Sequence, residues 1–413
     1  MKTWPDLAVP PVDLSFPPLI LNATSGAREL ESSSNNFKMY VCGITPYDAT
    51  HLGHAATYLT FDLVNRYLRA SGKNVSFVEN ITDIDDPLFE RAARDNQSWQ
   101  ELGNSQVALF TGDMTALRIL PPTAYVSVTE AMSSIILAIE LLAEKGFTYE
   151  CAGNTYFRTT NFLTTLPIAI DDALRVFAER GGDPQTAGKE HPLDPILWVA
   201  KKAGEPSWIS KLGEGRPGWH VECTVIALEN LLGIGYLEEA KATKIAIELQ
   251  GGGSDLIFPH HFMTAAIGKA LTGIDFAASY VHAGMVGLDG EKMSKSKGNL
   301  VLVSNLIASG IDPMVIRFAL MDSHYSKDRM WSAELIPIAQ ARVDRIRSAL
   351  SRSEVAPTDK LFRDIANALG DDLDTPSTLA LIDTWVEETE AGSIGGSAGE
   401  LSRFLDATLG LAL

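Results

Sequence analysis

The sequence predicts an α/β protein built on a parallel sheet, with an insertion in its middle and a helical C-terminal region. An apolar β-like run over 37–44 is followed by turn residues and by helical periodicity over 51–70. Another β-like run over 75–81 completes a strand–helix–strand unit, and strand-like 245–249 leads into a glycine run and a helical pattern near Pro259. Such units form parallel sheets with right-handed crossovers, and ligands bind at the carboxyl ends of the strands.

The other segments follow from local composition. Residues 1–35 are rich in Pro, Ser and Asn and are typical of an irregular arm. A helical run over 128–145, a β-like stretch over 154–157 and the Gly- and Pro-containing segment 179–184 together indicate an insertion. Beyond about residue 340 the pattern is helical with several acids. We therefore divide the chain into an arm, 1–35; the first half of an α/β domain, 36–125; an inserted domain, 126–205; the second half of the α/β domain, 206–290; a lysine-rich loop and the region after it, 291–340; and a helical domain, 341–413.

The composition is that of a soluble globular protein. The chain has 413 residues, of which 46% are apolar and 21% charged, enough for two or three domains with a buried core. The best candidate for an apolar span is interrupted by Glu140 and Glu144, so nothing approaches the roughly 18 residues that cross a bilayer. The first residues also lack the apolar run of a signal peptide. We expect a cytoplasmic protein that does not bind membranes.

Charge and cysteine content narrow the classes of partner. The net charge of -18 disfavours electrostatic attraction to phosphate backbones, although a local basic patch remains possible on an acidic protein. Cys42, Cys151 and Cys223 are far apart and odd in number, which argues against a disulfide framework and fits a reducing compartment.

The first candidate site is the segment His51-Leu52-Gly53-His54 at the start of the first long helix. Residues three apart share a helix face, and a helix N-terminus favours phosphate, so both imidazoles can face a bound nucleotide. Gly53 has no side chain and lets a flat ring approach the backbone. Two surface histidines in a polar first turn are the alternative, and the tetrapeptide alone leaves both interpretations open.

The second candidate site is the segment that begins at Lys292 and contains Lys295 and Lys297 before Gly298. Lysines interleaved with small polar residues suit a loop that clamps a polyphosphate and neutralises the charge of departing pyrophosphate. A solvated lysine-rich loop is the simpler interpretation of such a charge run. The presence of both motifs in one chain favours nucleotide binding.

Together the two motifs resemble the signature motifs of class I aminoacyl-tRNA synthetases. The resemblance narrows to the cysteinyl-tRNA synthetase branch at four further segments, which are Tyr-Val-Cys-Gly-Ile-Thr at 40–45, Asn-Ile-Thr-Asp-Ile-Asp-Asp at 80–86, Pro-Gly-Trp-His-Val-Glu-Cys at 217–223 and Gly-Gly-Gly-Ser-Asp-Leu-Ile-Phe-Pro-His-His at 251–261. It runs in order from about residue 37 to 335. It implies a Rossmann-like class I catalytic core with an inserted connective domain and a C-terminal helical domain, and activation of L-cysteine by ATP with Mg²⁺.

The same resemblance implies one zinc ion. Without a Cys-x-x-Cys pair, isolated cysteines are more often small buried hydrophobes. Cys42, Cys223 and His260 nevertheless match three of the four zinc ligands of cysteinyl-tRNA synthetases, whereas Thr264 replaces the fourth, a Glu. Three protein ligands and an open position are typical of a catalytic zinc, so we expect the substrate thiolate to complete the shell and serine to be rejected. We expect Cys151 to be structural.

Other roles are also implied by the resemblance. Asp255 would face the substrate ammonium, and Thr45 and Trp219 would line the amino-acid pocket, although each alone could be a packing or capping residue. The implied catalytic residues are His51, His54, Lys292, Lys295 and Asp255. The implied ATP and cysteinyl-adenylate residues are Cys42, Gly43, Ile44, Thr45, Thr57, Asn80, Ile81, Thr82, Trp219, Gly253, Ser254, Asp255 and Val286.

The acceptor of the cysteine is a separate question. Residues 341–413 contain seven Lys and Arg and thirteen Asp and Glu, a net charge of 7 − 13 = −6, which is a poor surface for tRNA. Pro87 stands where the synthetase pattern usually has Lys, and Glu-Arg-Gly-Gly-Asp-Pro at 179–184 resembles the cysteine:glucosaminyl-inositol ligases of mycothiol biosynthesis. With that family the resemblance covers essentially the whole chain.

This second resemblance implies a monomeric ligase that uses only small molecules, namely L-cysteine, ATP and glucosaminyl-inositol, and no nucleic acid. Arg180 and Asp183 could bond the sugar hydroxyls, with the alternative that Gly181 and Gly182 merely form a turn. A compact cysteinyl-tRNA synthetase and a non-catalytic cysteine- or nucleotide-binding paralogue remain as alternative functions.

Overall fold

The structure is a computed structural model and describes residues 1–24, 26–30, 35–47, 50–288, 290–293 and 298–413, with the backbone alone for 27, 28 and 292. The strands are β1 (Ile20–Ala23), β2 (Gly26–Glu29), β3 (Asn36–Ile44), β4 (Asn74–Ile81), β5 (Ala124–Ser127), β6 (Thr148–Cys151), β7 (Asn154–Phe157), β8 (Ile196–Ala200), β9 (Trp208–Ser210), β10 (Gly213–Pro217), β11 (Ile245–Gly253), β12 (Asp275–Ala283), β13 (Val286–Leu288), β14 (Glu291–Lys292) and β15 (Arg329–Trp331). The helices are α1 (Leu52–Ala70), α2 (Asp86–Arg94), α3 (Trp99–Ala116), α4 (Val128–Glu144), α5 (Ile170–Glu179), α6 (Trp219–Leu232), α7 (Tyr236–Glu239), α8 (Phe262–Thr272), α9 (Val303–Ala308), α10 (Pro313–Met321), α11 (Leu335–Leu350), α12 (Asp359–Gly370), α13 (Thr375–Glu390) and α14 (Ala398–Leu409), with short helical turns at Thr160–Thr165, Ala240–Ala242, Ser254–Leu256 and Ile257–His261.

The main sheet has the strand order β2-β1-β12-β11-β3-β4-β5. Strands β12, β11, β3, β4 and β5 are parallel, so their carboxyl ends meet at one edge, as the sequence predicts. The irregular arm expected over 1–35 is wrong in part, because β1 and β2 form a hairpin and β1 pairs antiparallel with β12, the outermost of the parallel strands. Pairing gives this polar segment backbone partners that its composition does not reveal.

Helices cover both faces of this sheet. Along β3, Phe37, Met39 and Val41 are buried in the cluster that includes α1, whereas Tyr40 and Cys42 are buried in the cluster that includes α6 and α8. The alternation follows from the two-residue period of a strand. It turns Cys42, near the carboxyl end of β3, toward the helix that carries Cys223.

The insertion forms its own antiparallel sheet, in the order β6-β7-β8-β10-β9. This sheet runs from Thr148 to Pro217 and therefore extends past the domain boundary expected at residue 205. Helix α4, which the sequence assigns to the insertion, packs with α6 and α8, since its apolar side chains are buried with theirs. Helix α5 packs on the turn Ile257–His261 at the edge of the main sheet.

The C-terminal helices are joined to α1 by a buried ion triad. Asp62 and Arg66 on α1 and Arg317 on α10 are fully buried, with Arg66 Nε 2.8 Å from Asp62 Oδ2 and the Arg317 guanidinium on the same carboxylate. Arg66 also donates to the carbonyl of Asp406 at 2.7 Å, and Arg317 to that of Leu409 at 2.7 Å. The last helix is therefore tied to the helix that begins at the first candidate motif.

Within the described ranges, no helix is long and apolar enough to cross a bilayer.

Candidate active site

The start of α1 is hydrogen-bonded to the chain that follows the lysine motif. The Leu52 amide, at the start of α1, donates to the Val301 carbonyl at 2.9 Å, and the Val303 amide donates to the Thr50 carbonyl at 3.2 Å. These bonds join the start of α1 to the chain that directly follows the lysine motif. Lys292 lies in β14 with only its backbone described, and Lys295 lies outside the described residues.

His51 and His54 form a stacked pair at the N-terminus of α1. Their ring centroids are 3.9 Å apart, and Nδ1 of His51 accepts from the Gly53 amide at 3.0 Å, which caps the helix. A Cβ on Gly53 would lie 2.7 Å from Cε1 of His51. The glycine therefore admits a ring against the backbone, and that ring belongs to the neighbouring histidine.

Asn80 holds the ends of β3 and β4 together. Its Oδ1 accepts from the Gly43 amide at 2.8 Å, and its Nδ2 donates to Thr82 Oγ1 at 3.1 Å. The Thr82 amide donates to the Ile44 carbonyl at 3.0 Å, and Ile44 pairs with Ile81 across the strands. A Cβ on Gly43 would lie 1.5 Å from the Asn80 carbonyl oxygen, so only glycine fits there. The predicted residues of these two strand ends are thus adjacent, and the Asn80 amide is engaged within the protein.

A second group surrounds the end of β11. An ideal Cβ on Gly253 would lie 2.6 Å from Asp255 Oδ1 and 4.0 Å from Thr57 Oγ1, so the carboxylate and the hydroxyl flank this glycine. Asp255 and Ser254 are half-buried in the turn that follows the strand. Val286 opens β13 just beyond the carboxyl end of β12. The structure therefore places all these predicted nucleotide and amino-acid residues at the same edge.

Cys42, Cys223 and His260 form a buried cluster. Among the described His, Cys, Asp and Glu residues, they alone form a group with metal-binding geometry, and their ligand atoms all lie within 4.8 Å of one another. Each comes from a different element: β3, α6 and the turn before α8. In the part of the chain that the structure describes, Nε2 of His260 is buried without a hydrogen-bond partner. Two thiols and a free imidazole nitrogen fit a soft or borderline cation such as Zn²⁺.

Two neighbouring side chains fix the orientation of the His260 ring. Its Nδ1 lies 2.9 Å from Nδ1 of His220, and its ring stacks on the indole of Trp219 with centroids 4.1 Å apart and planes at 19°. In metal sites, the orientation of a ligating imidazole is usually fixed by a neighbour that contacts its second ring nitrogen. His220 lies in the motif at 217–223, but the sequence analysis gave it no role. Its position next to Trp219 could have indicated that it lies at the site.

Burial sets the protonation of this cluster. It lowers the pKa of His260 well below the usual value, with His220 adding to the effect, and lowers the pKa of His220 to about 3. Both imidazoles are therefore neutral at neutral pH, which is the form that binds a metal. Burial also raises the pKa of the Cys223 thiol, and the neighbouring Cys42 adds to this. A bound cation would reverse that preference and hold the thiolate.

The Thr264 hydroxyl is hydrogen-bonded within the protein. Gln250 Nε2 donates to its Oγ1 at 3.0 Å, and its Oγ1 also lies 3.0 Å from the His261 carbonyl oxygen. Gln250 Nε2 lies 3.9 Å from Sγ of Cys42, so it links the threonine to the cysteine. The sequence analysis did not identify Gln250. Its position as a polar residue directly after the strand-like run 245–249 could have indicated it.

A chain of imidazoles lies behind Cys42. Nε2 of His261 is 3.3 Å from Cys42 Sγ, and Nδ1 of His261 is 2.8 Å from Nε2 of His282. Burial lowers the pKa of His282 to about 4, opposed in part by the charge of Asp255. The sequence gave neither histidine a role, although His261 adjoins a predicted ligand.

The insertion residues expected near the sugar are used within the protein. The Arg180 guanidinium donates to the carbonyls of Asp255 and Phe258, and Asp183 binds Lys189 Nζ at 2.8 Å. Cys151, expected to be structural, donates to a carbonyl of the insertion at 3.4 Å and is not part of the cluster. The Arg180 contact connects the insertion to the turn that carries Asp255 and His260.

The chain is similar to known proteins along its whole length. The family model described as tRNA synthetases class I (C) catalytic domain matches residues 29–341. Proteins named L-cysteine:1D-myo-inositol 2-amino-2-deoxy-alpha-D-glucopyranoside ligase match the whole chain. Those of Streptomyces griseus and Nocardia farcinica are each 47% identical, and that of Gordonia bronchialis is 48% identical, with 100% of both chains covered in every case.

Solved structures share the fold at low sequence identity. Mycobacterium tuberculosis methionyl-tRNA synthetase in complex with methionyl-adenylate matches with a TM-score of 0.63 at 16% identity, over 91% of this chain and 88% of that one. The ternary complex of Agrobacterium radiobacter K84 LeuRS matches with a TM-score of 0.64 at 11% identity, over 92% and 84%. The chain therefore belongs to the L-cysteine:1D-myo-inositol 2-amino-2-deoxy-alpha-D-glucopyranoside ligase family, on a class I tRNA synthetase catalytic fold.

Proposed function

We propose that this protein is an ATP-dependent ligase that activates L-cysteine as cysteinyl-AMP and transfers it to the amine of glucosaminyl-inositol, as in mycothiol biosynthesis. The observation that carries the proposal is the full-length match to relatives with that name. The synthetase family model ends at residue 341, whereas these relatives also match the acidic helices beyond it. The match therefore includes the region in which a tRNA-binding protein and a small-molecule ligase should differ.

Nucleotide binding is assigned to the carboxyl edge of the main sheet, where α1 begins. His51 and His54, above the N-terminus of α1, would face the phosphates of ATP, with Lys292 and Lys295 from the other motif. The cysteine carboxylate attacks the α-phosphate, and pyrophosphate leaves with the electron pair of the broken P–O bond. Positioning and charge stabilisation account for most of this step, because phosphoryl transfer needs little covalent help.

Selection of cysteine is assigned to the buried cluster. Cys42, Cys223 and His260 would hold Zn²⁺, which when bound supplies a site for the substrate sulfur that serine cannot use. Thr264 leaves that site to the substrate, since its hydroxyl is already engaged by Gln250. Trp219 forms an apolar wall beside His260.

Amide formation completes the reaction. The amine of glucosaminyl-inositol attacks the cysteinyl carbonyl, the C–O bond to AMP breaks, and the amine loses its proton. Asp255, half-buried beside Gly253, is positioned to bind the cysteine ammonium or to take that proton. One molecule each of ATP, cysteine and acceptor gives one each of AMP, pyrophosphate and amide.

The charges of the C-terminal helices favour a small acceptor. Arg342 pairs with Asp383, Arg345 with Glu390, Arg347 with Asp312 and Lys360 with Asp364. Basic side chains that are paired within the protein are less available to neutralise phosphates. A compact cysteinyl-tRNA synthetase is the second candidate, and the family model over 29–341 is the observation in its favour.

The first half of the proposal is tested by ATP–pyrophosphate exchange. Zinc-loaded protein should exchange labelled pyrophosphate into ATP when L-cysteine is present, and far less with L-serine. Absence of cysteine-dependent exchange would contradict both the ligase and the synthetase. Mass spectrometry should then detect the amide of cysteine and glucosaminyl-inositol after this acceptor is added.

A further inference from the structure

Arg180 is a surface residue whose guanidinium is held by another part of the protein. It caps the C-terminal end of α5 in the insertion, and its Nη1 donates to the carbonyls of both Asp255 and Phe258. These carbonyls belong to the turn between β11 and α8. That turn carries the Asp255 carboxylate and includes the cluster residue His260.

The glycines after Arg180 permit this approach. Gly181 has a φ of +84°, which residues with a Cβ rarely adopt. A Cβ on Gly182 would lie 2.5 Å from the Phe177 ring, and the Gly182 amide donates to the Phe177 carbonyl at 2.8 Å. The chain therefore folds back tightly over the end of α5 and leaves Arg180 pointing away from the insertion.

Asp183 fixes the other end of the segment to the insertion. Its carboxylate accepts from the Tyr156 hydroxyl on β7, from Thr186 at 3.0 Å and from Lys189 at 2.8 Å. The side chain of Lys189 is 2% exposed and its Nζ lies 5.1 Å from the ring centroid of Tyr156. A carboxylate so satisfied by the protein is poorly placed to bind a sugar.

An apolar contact lies beneath the same junction. Phe177 of α5 is buried in one cluster with Phe258, Phe262 and Met263, which flank His260 in the sequence. The turn therefore contacts α5 through ring packing and through the Arg180 guanidinium. Packing resists separation of the two elements, whereas the hydrogen bonds to two carbonyls also fix the path of the backbone between them.

We propose that the segment 179–184 is a brace in which Arg180 acts as a positioning residue for cysteine binding. By holding the carbonyls of Asp255 and Phe258, it fixes the backbone that carries the Asp255 carboxylate and His260, and so their relative position in the cysteine site. The inference rests on the proposed function, because it assigns Asp255 and His260 to the cysteine site. It replaces the expectation that Arg180 and Asp183 bind the sugar.

The test compares two variants of Arg180 that separate the effect of its hydrogen bonds from that of its aliphatic side chain. Arg180→Met keeps the stem and removes the hydrogen bonds, whereas Arg180→Lys keeps a charged donor. In cysteine-dependent exchange, Arg180→Met should raise KM for cysteine about 10- to 100-fold and leave KM for ATP within about threefold, because small misplacements of binding groups have effects of that size. Arg180→Lys should recover part of the loss.

Arg175→Ala is the matched control. Arg175 lies on the same helix and forms exposed ion pairs with Asp172 and Glu179; because such pairs contribute little, this variant should leave the Arg180 contacts in place and behave as wild type. Bound zinc and the melting temperature, measured on every variant, separate positioning from unfolding. If Arg180→Met does not fold, Arg180→Lys decides, with a raised KM for cysteine supporting the role and wild-type kinetics opposing it.

The outcomes distinguish a failure of the proposed function from a failure of the brace. Wild-type protein without exchange would overturn the proposed function and the brace with it. An active wild type with an unchanged KM for cysteine in Arg180→Met would overturn the brace alone. An equal rise in KM for cysteine and ATP would also overturn it, since that pattern indicates general damage to the edge of the sheet.

Discussion

The imidazole of His260 stacks on the indole of Trp219, with ring centroids 4.1 Å apart and planes at 19°. The two residues come from different elements, the turn before α8 and the first residue of α6. The indole therefore supports a cluster residue and also walls the space beside it. The stacking therefore joins the apolar side chain of Trp219 to the buried cluster of Cys42, Cys223 and His260.

Replacing Trp219 should weaken cysteine binding without removing the metal. Trp219→Ala should raise KM for cysteine at least about tenfold, or about 1.4 kcal/mol, because the wall and the stacked support are both lost. Trp219→Phe should have a smaller effect. Exchange kinetics measure both, with Trp208→Phe on β9 of the insertion as the control. Wild-type kinetics in Trp219→Ala would exclude the indole from the cysteine pocket.

Replacing Cys223 should remove bound zinc, whereas replacing Cys151 should not. Cys223 contributes one of three clustered ligand atoms, and Cys151 donates to a carbonyl in the insertion instead. Elemental analysis should find about one zinc per wild-type or Cys151→Ala chain and much less in Cys223→Ala. Stoichiometric zinc in Cys223→Ala would remove the argument for this metal site.

Thr264→Val should keep the zinc. The change preserves shape but removes the hydroxyl that binds Gln250, so we expect a loss of stability of about 1–3 kcal/mol from the unsatisfied amide. Zinc content and urea unfolding, measured on the same preparation, separate the two effects. If Thr264→Val loses zinc as Cys223→Ala does, then Thr264 is a fourth protein ligand.

Breaking the buried triad should destabilise the protein in a pH-dependent way. Burial alone would raise the pKa of Asp62, but Arg66 and Arg317 outweigh it and lower the pKa below the ordinary value. A carboxyl with a lowered folded pKa stabilises the fold above the unfolded pKa of about 4 and loses that contribution as pH falls. Arg317→Met should therefore lower the free energy of unfolding by about 3–5 kcal/mol at pH 7.

The same difference should shrink as the pH falls below about 4, where Asp62 begins to bind a proton in the variant and then in the wild type. Arg345→Met is the control, since Arg345 pairs with Glu390 at the surface. Urea unfolding at several pH values measures the effect. A small, pH-independent difference would mean that the triad does not hold the C-terminal helices.

The sequence predicted the parallel sheet and its crossover helix well, because those elements have clear apolar periods. Strand β3 and helix α1 lie within a residue of their expected bounds. The strands β1 and β2 were missed, because β1 pairs with β12 about 250 residues away and the short hairpin β1–β2 has no clear apolar period of its own. Composition describes such a segment poorly.

The candidate site was predicted unevenly for a similar reason. Cys42, Cys223 and His260 were found by resemblance, and their closeness depends on three separate elements. Gln250 and His261 both contact Cys42, but Gln250 lies outside the quoted motifs and the motif that contains His261 indicated no role for it. Arg180 was noticed, but its partners are backbone carbonyls, which sequence patterns do not indicate.

Identifying the acceptor of the activated cysteine tests the proposed ligase function most directly. Zinc-loaded protein with ATP and L-cysteine is mixed with glucosaminyl-inositol or with tRNA, and AMP release is followed in each mixture. We expect glucosaminyl-inositol to stimulate release with one amide formed per AMP, and tRNA to have no effect. Stimulation by tRNA alone would contradict the ligase and identify a compact synthetase.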